Sequence, residues 1–384
     1  MRAVRYYGPG DIRVDNIPEP SITDGKIKIK VWRCVHAINS KYEVAYPNRY
    51  AIARTVCGSD VHAYFIRPEA SPTATTPHPI TGETLPTVMG HEFSGTIVAL
   101  GRGVDNKKYA VGQNVTIEPV ISCMKPTCPQ CTSGARNVCP NVSYVGAGGF
   151  GGGFSEYVSL SPEYVHVLPA GVSLEAGAMI EPLSVGWHAV KRSSFKPGDR
   201  ALVIGCGPIG LFVLKSLQAL GASWVGVSEP ATERREMARK ASASTVFDPL
   251  SEDVVSETVR VTDGGADVVF DCAGLQASLD TALQAVRPRG TVVGVAVWEK
   301  MPTLNTHAIQ RKEIMLTSCN GSNDEHPELL QAVAAGKIKG LDELVTRKIA
   351  LEDFVEMGIK ALINEKNKHI KILVHPQKRL ETKL

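Results

Sequence analysis

The chain has 384 residues, of which 43% are hydrophobic and 21% charged, with a formal net charge of +3. That length suits two domains of ordinary size, each able to bury its own core. The near-even charge excludes a nucleic-acid surface or a basic membrane-binding face, and no apolar run is long enough to span a bilayer.

The N-terminus, Met1-Arg2-Ala3-Val4-Arg5-Tyr6-Tyr7, enters a strand-like pattern directly, with no signal-peptide pattern, so cytoplasm is the expected compartment. Short β-like runs follow at Lys26–Val31, Ser94–Leu100, Gln113–Pro119, Tyr157–Leu160 and Val165–Leu168, punctuated by Gly and Pro. They predict an all-β or barrel-like domain with long loops. From about Ser184 the pattern alternates. Strand-like runs at Ala201–Ile204, Trp224–Val227, Val268–Asp271, Thr291–Val295 and Ile314–Thr317 are separated by helical runs such as Thr232–Ala241 and Ala277–Val286. Alternation of this kind predicts a parallel sheet with crossover helices, so the fold class is α/β. The tail after Asn323 reads as helix at Pro327–Ala335 and Leu351–Ile363 and ends in a strand, Ile370–Val374, expected to rejoin the first domain. The expected limits are 1–183 for the first domain, with 323–384 returning to it, and 184–322 for the second.

Two groups of metal-ligand residues lie in the first domain. The first is spread out: Cys57 in Cys-Gly-Ser-Asp-Val-His, then Gly90-His91-Glu92, then Glu181-Pro182. A catalytic zinc takes three protein ligands and leaves one place open. Cys57 and His91 are the firmest candidates, with Glu92 and Glu181 competing for the third place, one of them through water. Spacing alone does not pair Cys57 with His91. The second group, Cys123, Cys128, Cys131 and Cys139, falls in one polar loop with Pro126, Pro129 and Gly134. Four thiolates close a tetrahedral shell, as a structural zinc requires, and a loop with so little core would need the metal to hold its shape. With nine cysteines and no export signal, a disulfide framework is not expected.

The second domain opens on Ala201-Leu202-Val203-Ile204, then Gly205-Cys206-Gly207-Pro208-Ile209-Gly210, then a helical run. Strand, glycine-rich turn and helix in that order form a dinucleotide-phosphate cradle. Gly205 permits the tight turn, Gly207 lets the backbone approach a pyrophosphate, and Gly210 lets the helix pack on the strand. Pro208 and Ile209 open the helix whose free N–H groups face the phosphates. Glu229 ends the next strand, about twenty residues on, where an acid grips the ribose 2′-hydroxyl. An acid there favours NAD over NADP, while Arg234 and Arg235, close behind, pull the other way.

The motifs CGSDVH at Cys57–His62, GHEFSGTIV at Gly90–Val98, the four-cysteine loop, EPLSVGWHAV at Glu181–Val190 and GCGPIG at Gly205–Gly210 together resemble the zinc-dependent medium-chain dehydrogenases. Within them the chain is most similar to the polyol branch. The run PHPITGETLPTVMGHEF at Pro77–Phe93 is especially like fungal butanediol dehydrogenases, with sorbitol dehydrogenases next. The resemblance spans almost the whole chain. It implies a GroES-like catalytic domain beside a Rossmann domain, two zinc ions per chain, NAD, and a homo-oligomer (dimer or tetramer). The implied reaction is reversible hydride transfer between NAD and a secondary alcohol or vicinal diol, 2,3-butanediol/acetoin first and sorbitol or xylitol as the alternative. Ser59 is expected to start the proton route, with His62 as a second relay candidate.

Two departures stand out. Residues 35–55 intervene where relatives pass almost directly from a strand to the CGSD turn. The segment reads as foreign sequence, a surface bulge or a lid. If it displaces Cys57, the alternative is a folded relative that binds dinucleotide without turnover. Cys123 and Cys128 are also separated by four residues where many relatives have two, which leaves open another ligand in place of Cys123. Zinc-independent quinone reduction on the same fold is disfavoured by Cys57, His91 and the cysteine loop.

Overall fold

A computed structural model describes residues 1–37, 63–65, 71–298, 300–365 and 368–376. The first sheet is small: β1 (Arg2–Gly8) pairs antiparallel with β2 (Asp11–Asn16) and with a short strand further along the chain. Strand β3 (Ile27–Ala37) shows why a strand forms here. Ile27, Ile29 and Val31 are fully buried, while Lys28 and Lys30 between them are partly exposed, the two-residue period of a half-buried strand. The alternation breaks between Val31 and Arg33, where the register against the next long strand slips. After that break the consecutive residues Cys34 and Val35 both lie inside. The strand therefore runs past Val31, and residues 35–37 belong to it rather than to the intervening segment expected to begin at Val35. The remainder of that segment lies outside the described residues.

Strand β4 (Thr87–Val88) completes the small sheet. The larger sheet contains β5 (Phe93–Leu100) and β6 (Asn114–Ile117). A separate ribbon pairs β7 (Val120–Ile121) with β8 (Ser143–Tyr144) across the cysteine loop. Strands β9 (Tyr157–Leu160) and β10 (Val165–Val167) return to the larger sheet. Its core joins Ile27, Ile29, Phe93, Ile97, Val115, Ile117 and Val158.

Helix α1 (Ile180–Arg192) leads into the second half. Gly186 lets it lie against the backbone of α2 (Pro208–Ala219), because a Cβ there would sit 2.7 Å from the Phe212 carbonyl carbon. The parallel sheet comprises β11 (Arg200–Ile204), β12 (Trp224–Ser228), β13 (Thr245–Phe247), β14 (Ala266–Asp271), β15 (Val286–Gly294) and β16 (Met315–Ser318). Its spatial order is β13-β12-β11-β14-β15-β16. The order reverses between β11 and β14, so a crevice opens at their carboxyl ends. Helices α3 (Thr232–Lys240), α4 (Val254–Val261), α5 (Gln276–Ala285) and α6 (Thr306–Lys312) make the crossovers.

Helix α7 (His326–Ala334) packs on α1, and Leu329 and Leu330 enter the same core as Leu211, Phe212 and Leu214. Strand β17 (Val345–Ala350) pairs parallel with β18 (Lys371–His375), which pairs antiparallel with β3. The last strand thus joins the larger sheet of the first half, beside β3. The helix expected at 351–363 is broken instead: a 3-10 turn at Leu351–Asp353, a wide π-helical stretch at Phe354–Lys360, then one α turn at Ala361–Asn364. Phe354 is fixed there by Phe154, their ring centroids 4.5 Å apart.

Candidate metal and dinucleotide sites

His91 follows a glycine that no other residue could replace cheaply. Gly90 has φ +98°, and a Cβ on it would lie 2.8 Å from both Cys34 Sγ and Phe154 N. The tight contact delivers His91 and Glu92 to the start of β5. There the Glu92 carbonyl accepts from Val35 N at 2.8 Å. Glu181 arrives from elsewhere, in the first turn of α1. One donor atom from each of His91, Glu92 and Glu181 falls within 4.8 Å of the others. The set is one imidazole and two carboxylates, which suits a borderline cation such as zinc.

The two carboxylates differ. Glu92 is gripped by Lys371 of β18, whose Nζ lies 2.9 and 2.6 Å from its two oxygens. Both residues are buried, Lys371 completely. Glu181 is also buried, and its pKa is raised to about 7. Loss of water is the main cause; Glu92 adds repulsion, while His91 and Lys371 oppose it. Glu181 is therefore the carboxylate whose charge a cation would compensate, while Glu92 already has its counter-ion. Cys57, Ser59 and His62 lie outside the described residues.

The cysteine loop brings Cys123 together with Cys128, Cys131 and Cys139, all four sulfurs within 4.8 Å of one another. Cys123 Sγ and Cys131 Sγ are 3.8 Å apart. Zinc–sulfur bonds of about 2.3 Å in a tetrahedron put the sulfurs about 3.8 Å apart, so the spacing fits a zinc shell. The Cys131 amide is the chief cause pulling the Cys128 thiol down to about 7. The Lys125 amide pulls on Cys123, but lost water and three neighbouring sulfurs outweigh it and hold that thiol up at about 11. Four thiols in this space cannot all ionise unaided, and a divalent cation resolves the conflict.

In the second half, Gly205 has φ +89°, and a Cβ on Gly210 would collide with the Gly205 carbonyl oxygen. Gly207 is the N-cap of α2, with Pro208 at its first turn and Ile209 next. The strand, glycine turn and helix read from the sequence are present, and α2 starts just past the carboxyl end of β11. Glu229 follows β12 and is buried; its carboxylate accepts from Cys206 N at 2.7 Å and from Ala231 N at 2.9 Å. It therefore buttresses the turn itself. Arg234 is buried, and burial lowers its pKa against the pull of Glu229. Arg235 is tied to the Glu229 and Pro230 carbonyls and to Asp248 Oδ2 at 3.0 Å. That leaves it poorly placed to greet a 2′-phosphate.

A buried polar cluster was not foreseen. Glu118 Oε2 meets His166 Nε2 at 2.8 Å, and His326 Nδ1 stands 3.6 Å from Glu118 Oε1. Burial raises the Glu118 pKa, but the two imidazoles outweigh it and hold the carboxyl far below its usual range. These residues come from β10, α7 and the end of β6, too far apart in sequence for any local pattern.

Comparison with known proteins gives the family. Residues 51–170 match the alcohol dehydrogenase GroES-like domain, and residues 208–335 match the zinc-binding dehydrogenase domain. The (R,R)-butanediol dehydrogenase of Bacillus subtilis is 39% identical over 98% of this chain and 100% of its own length. The chain belongs to the zinc-binding alcohol dehydrogenase family. A crystal structure of 2R,3R-butanediol dehydrogenase from Bacillus subtilis superposes with a TM-score of 0.85, at 39% identity, covering 98% of this chain and 99% of that one. The sorbitol dehydrogenase of Bacillus subtilis is 29% identical over 98% of both chains. This dehydrogenase is an oxidoreductase of a small-molecule substrate, with zinc and a nicotinamide dinucleotide as cofactors. Its two halves are a GroES-like catalytic domain and a Rossmann domain. No helix among the described residues is long and apolar enough to cross a membrane.

Proposed function

We propose that this dehydrogenase interconverts (R,R)-2,3-butanediol and acetoin with NAD. The observation that carries the reading is the full-length likeness to a butanediol dehydrogenase, together with the meeting of His91 and Glu181 in one buried pocket. When bound, zinc supplies the Lewis acidity that acidifies the substrate hydroxyl, and NAD accepts the hydride.

The residues assigned to that work divide it as follows. His91 and Glu181 hold the catalytic metal, with Cys57 as the thiolate. Glu92, neutralised by Lys371, stands behind them and sets the local charge. Ser59 takes the hydroxyl proton toward solvent, with His62 as the second relay. Gly205, Gly207, Pro208, Ile209 and Gly210 cradle the pyrophosphate. Glu229 faces the adenosine ribose, and Arg234 supports it from within. The four-cysteine loop holds the second, structural zinc.

The reading includes a homo-oligomer and a cytoplasmic setting. Among the described residues strand β16 ends its sheet with one side unpaired, and Met315 and Leu316 on it are exposed. An apolar sheet edge of this kind is a natural pairing surface for a second copy. Cys123, Cys128, Cys131, Cys139, Cys206 and Cys319 are free thiols, which suits a reducing compartment.

The experiment is zinc content and NADH formation in one sample, with (R,R)-2,3-butanediol, sorbitol and xylitol as substrates. About two zinc per chain with fastest turnover of butanediol is expected. Faster sorbitol would move the enzyme to the polyol reading. One zinc and no turnover would mean that the Cys57 turn is disrupted.

A further inference from the structure

The cysteine loop does more than enclose a metal. It is stitched to the segment that leaves β16, and Asn137, two residues before Cys139, is the main stitch. Asn137 is buried. Its Nδ2 donates to the Asn320 carbonyl at 2.7 Å, and Asn320 Nδ2 donates back to the Asn137 carbonyl at 2.8 Å. The same Asn137 amide meets His188 Nε2 on α1 at 3.2 Å, while His188 Nδ1 meets Glu325 Oε1 at 2.6 Å. One tautomer satisfies both contacts: Nδ1–H donates to Glu325, and Nε2 accepts from Asn137. Asn323 reinforces the seam, accepting from Arg136 N at 3.0 Å and donating to the Gly134 carbonyl at 2.8 Å. Arg136 Nη1 adds Asp324 Oδ1 at 2.8 Å.

The stitched segment reaches the substrate side. Gly321 follows Asn320, with φ +55°, and a Cβ on it would lie 2.7 Å from the Tyr144 hydroxyl. The Tyr144 ring is centred 6.2 Å from that of His91. The adjacent Ser322 hydroxyl is fully buried with no partner among the described residues. A shift of this segment would therefore change the wall that a substrate beside His91 meets.

We propose that Asn137 is a positioning residue, which transmits the order of the cysteine loop to Gly321 and Ser322 and so sets the fit of the diol. The inference rests on the dehydrogenase reading for its kinetic part only. Two reciprocal amide bonds at the seam act as a unit, so cutting either side should loosen the same segment.

The test compares Asn137→Ala, Asn320→Ala and the double variant as zinc-loaded full-length enzyme. Total zinc should stay at the wild-type value. Amide exchange across 319–325 should quicken about tenfold or more, and the double variant should exchange no faster than either single one. The KM for (R,R)-2,3-butanediol should rise about tenfold with kcat within about threefold. Unchanged exchange in Asn320→Ala, which leaves the loop's own residues intact, would overturn the proposal. So would loss of zinc in Asn137→Ala, which would make Asn137 a part of the metal shell's support instead. A chain that turns over no diol yet shows the exchange response would fail the dehydrogenase reading and keep the clamp.

Discussion

The two metal-ligand groups are built in opposite ways. The four cysteines lie within residues 123–139, in a loop whose only helices are a single turn at Pro129–Thr132 and a 3-10 turn at Arg136–Val138. His91, Glu92 and Glu181 come from two distant segments, and their counter-ion Lys371 comes from a third. The loop has almost no apolar core, so its geometry depends on what the sulfurs bind. The dispersed pocket is held by β3, β5, β18 and α1 and would stand without a metal. One group takes its shape from what its sulfurs bind, and the other takes its shape from the fold.

Breaking the pocket should have the largest effect. His91→Ala removes the imidazole proposed to hold the catalytic metal and should lower kcat/KM by about a thousandfold or more, roughly 4 kcal/mol of transition-state stabilisation. Dinucleotide binding, followed by NADH fluorescence, should change little. A variant that keeps full turnover would remove His91 from the site.

Lys371→Met tests whether the fold holds the pocket. It leaves Glu92 charged, buried and alone, at a cost of about 3–5 kcal/mol in denaturant unfolding. Lys371→Met combined with Glu92→Leu should regain most of that stability, because the pair is replaced by apolar groups of similar reach. If the single variant loses nothing, the pair does not organise the pocket.

Glu229→Ala probes the other half. It removes the acceptor for Cys206 N as well as the acid proposed to face the ribose, so the KM for NAD should rise about tenfold and the preference over NADP should narrow. An unchanged NAD-to-NADP ratio would separate Glu229 from the ribose.

The smallest effect concerns pH. Glu181 has a folded pKa of about 7, above its unfolded value, so the folded chain holds the extra proton between them. Its contribution to stability is present at low pH and is lost as pH rises through about 7. Metal-free protein should therefore lose more stability between pH 5.5 and pH 8 than its Glu181→Gln variant does. Equal losses would mean that the carboxyl is not desolvated.

Much of this was legible in the sequence because it is local. Gly205, Gly207 and Gly210 with the flanking apolar runs specify a strand, a turn and a helix within a few residues of each other. The cysteines declare themselves by clustering. The last strand was legible as an apolar run, and it lies beside β3 in the larger sheet. The pairing of Lys371 was not legible, although a lysine inside Ile370-Lys371-Ile372-Leu373-Val374 is the signal that was available. A charge in an otherwise apolar buried strand demands a partner, but the partner is 279 residues away and no spacing rule reaches that far. The extension of β3 to Ala37 was hidden by its irregular register, which interrupts the two-residue period. The Asn137–Asn320 seam and the Glu118–His166–His326 cluster are likewise products of packing between elements.

The contrast between the two sites is tested most directly by hydrogen exchange on metal-free protein, compared with the zinc-loaded form. The account predicts that amides across 123–139 lose their protection on removal of zinc. Those of His91 and Glu92, of β5 directly after them, and of the first turns of α1, which carry Glu181, should keep theirs. Equal loss in both regions, or protection that persists in the cysteine loop alone, would contradict it.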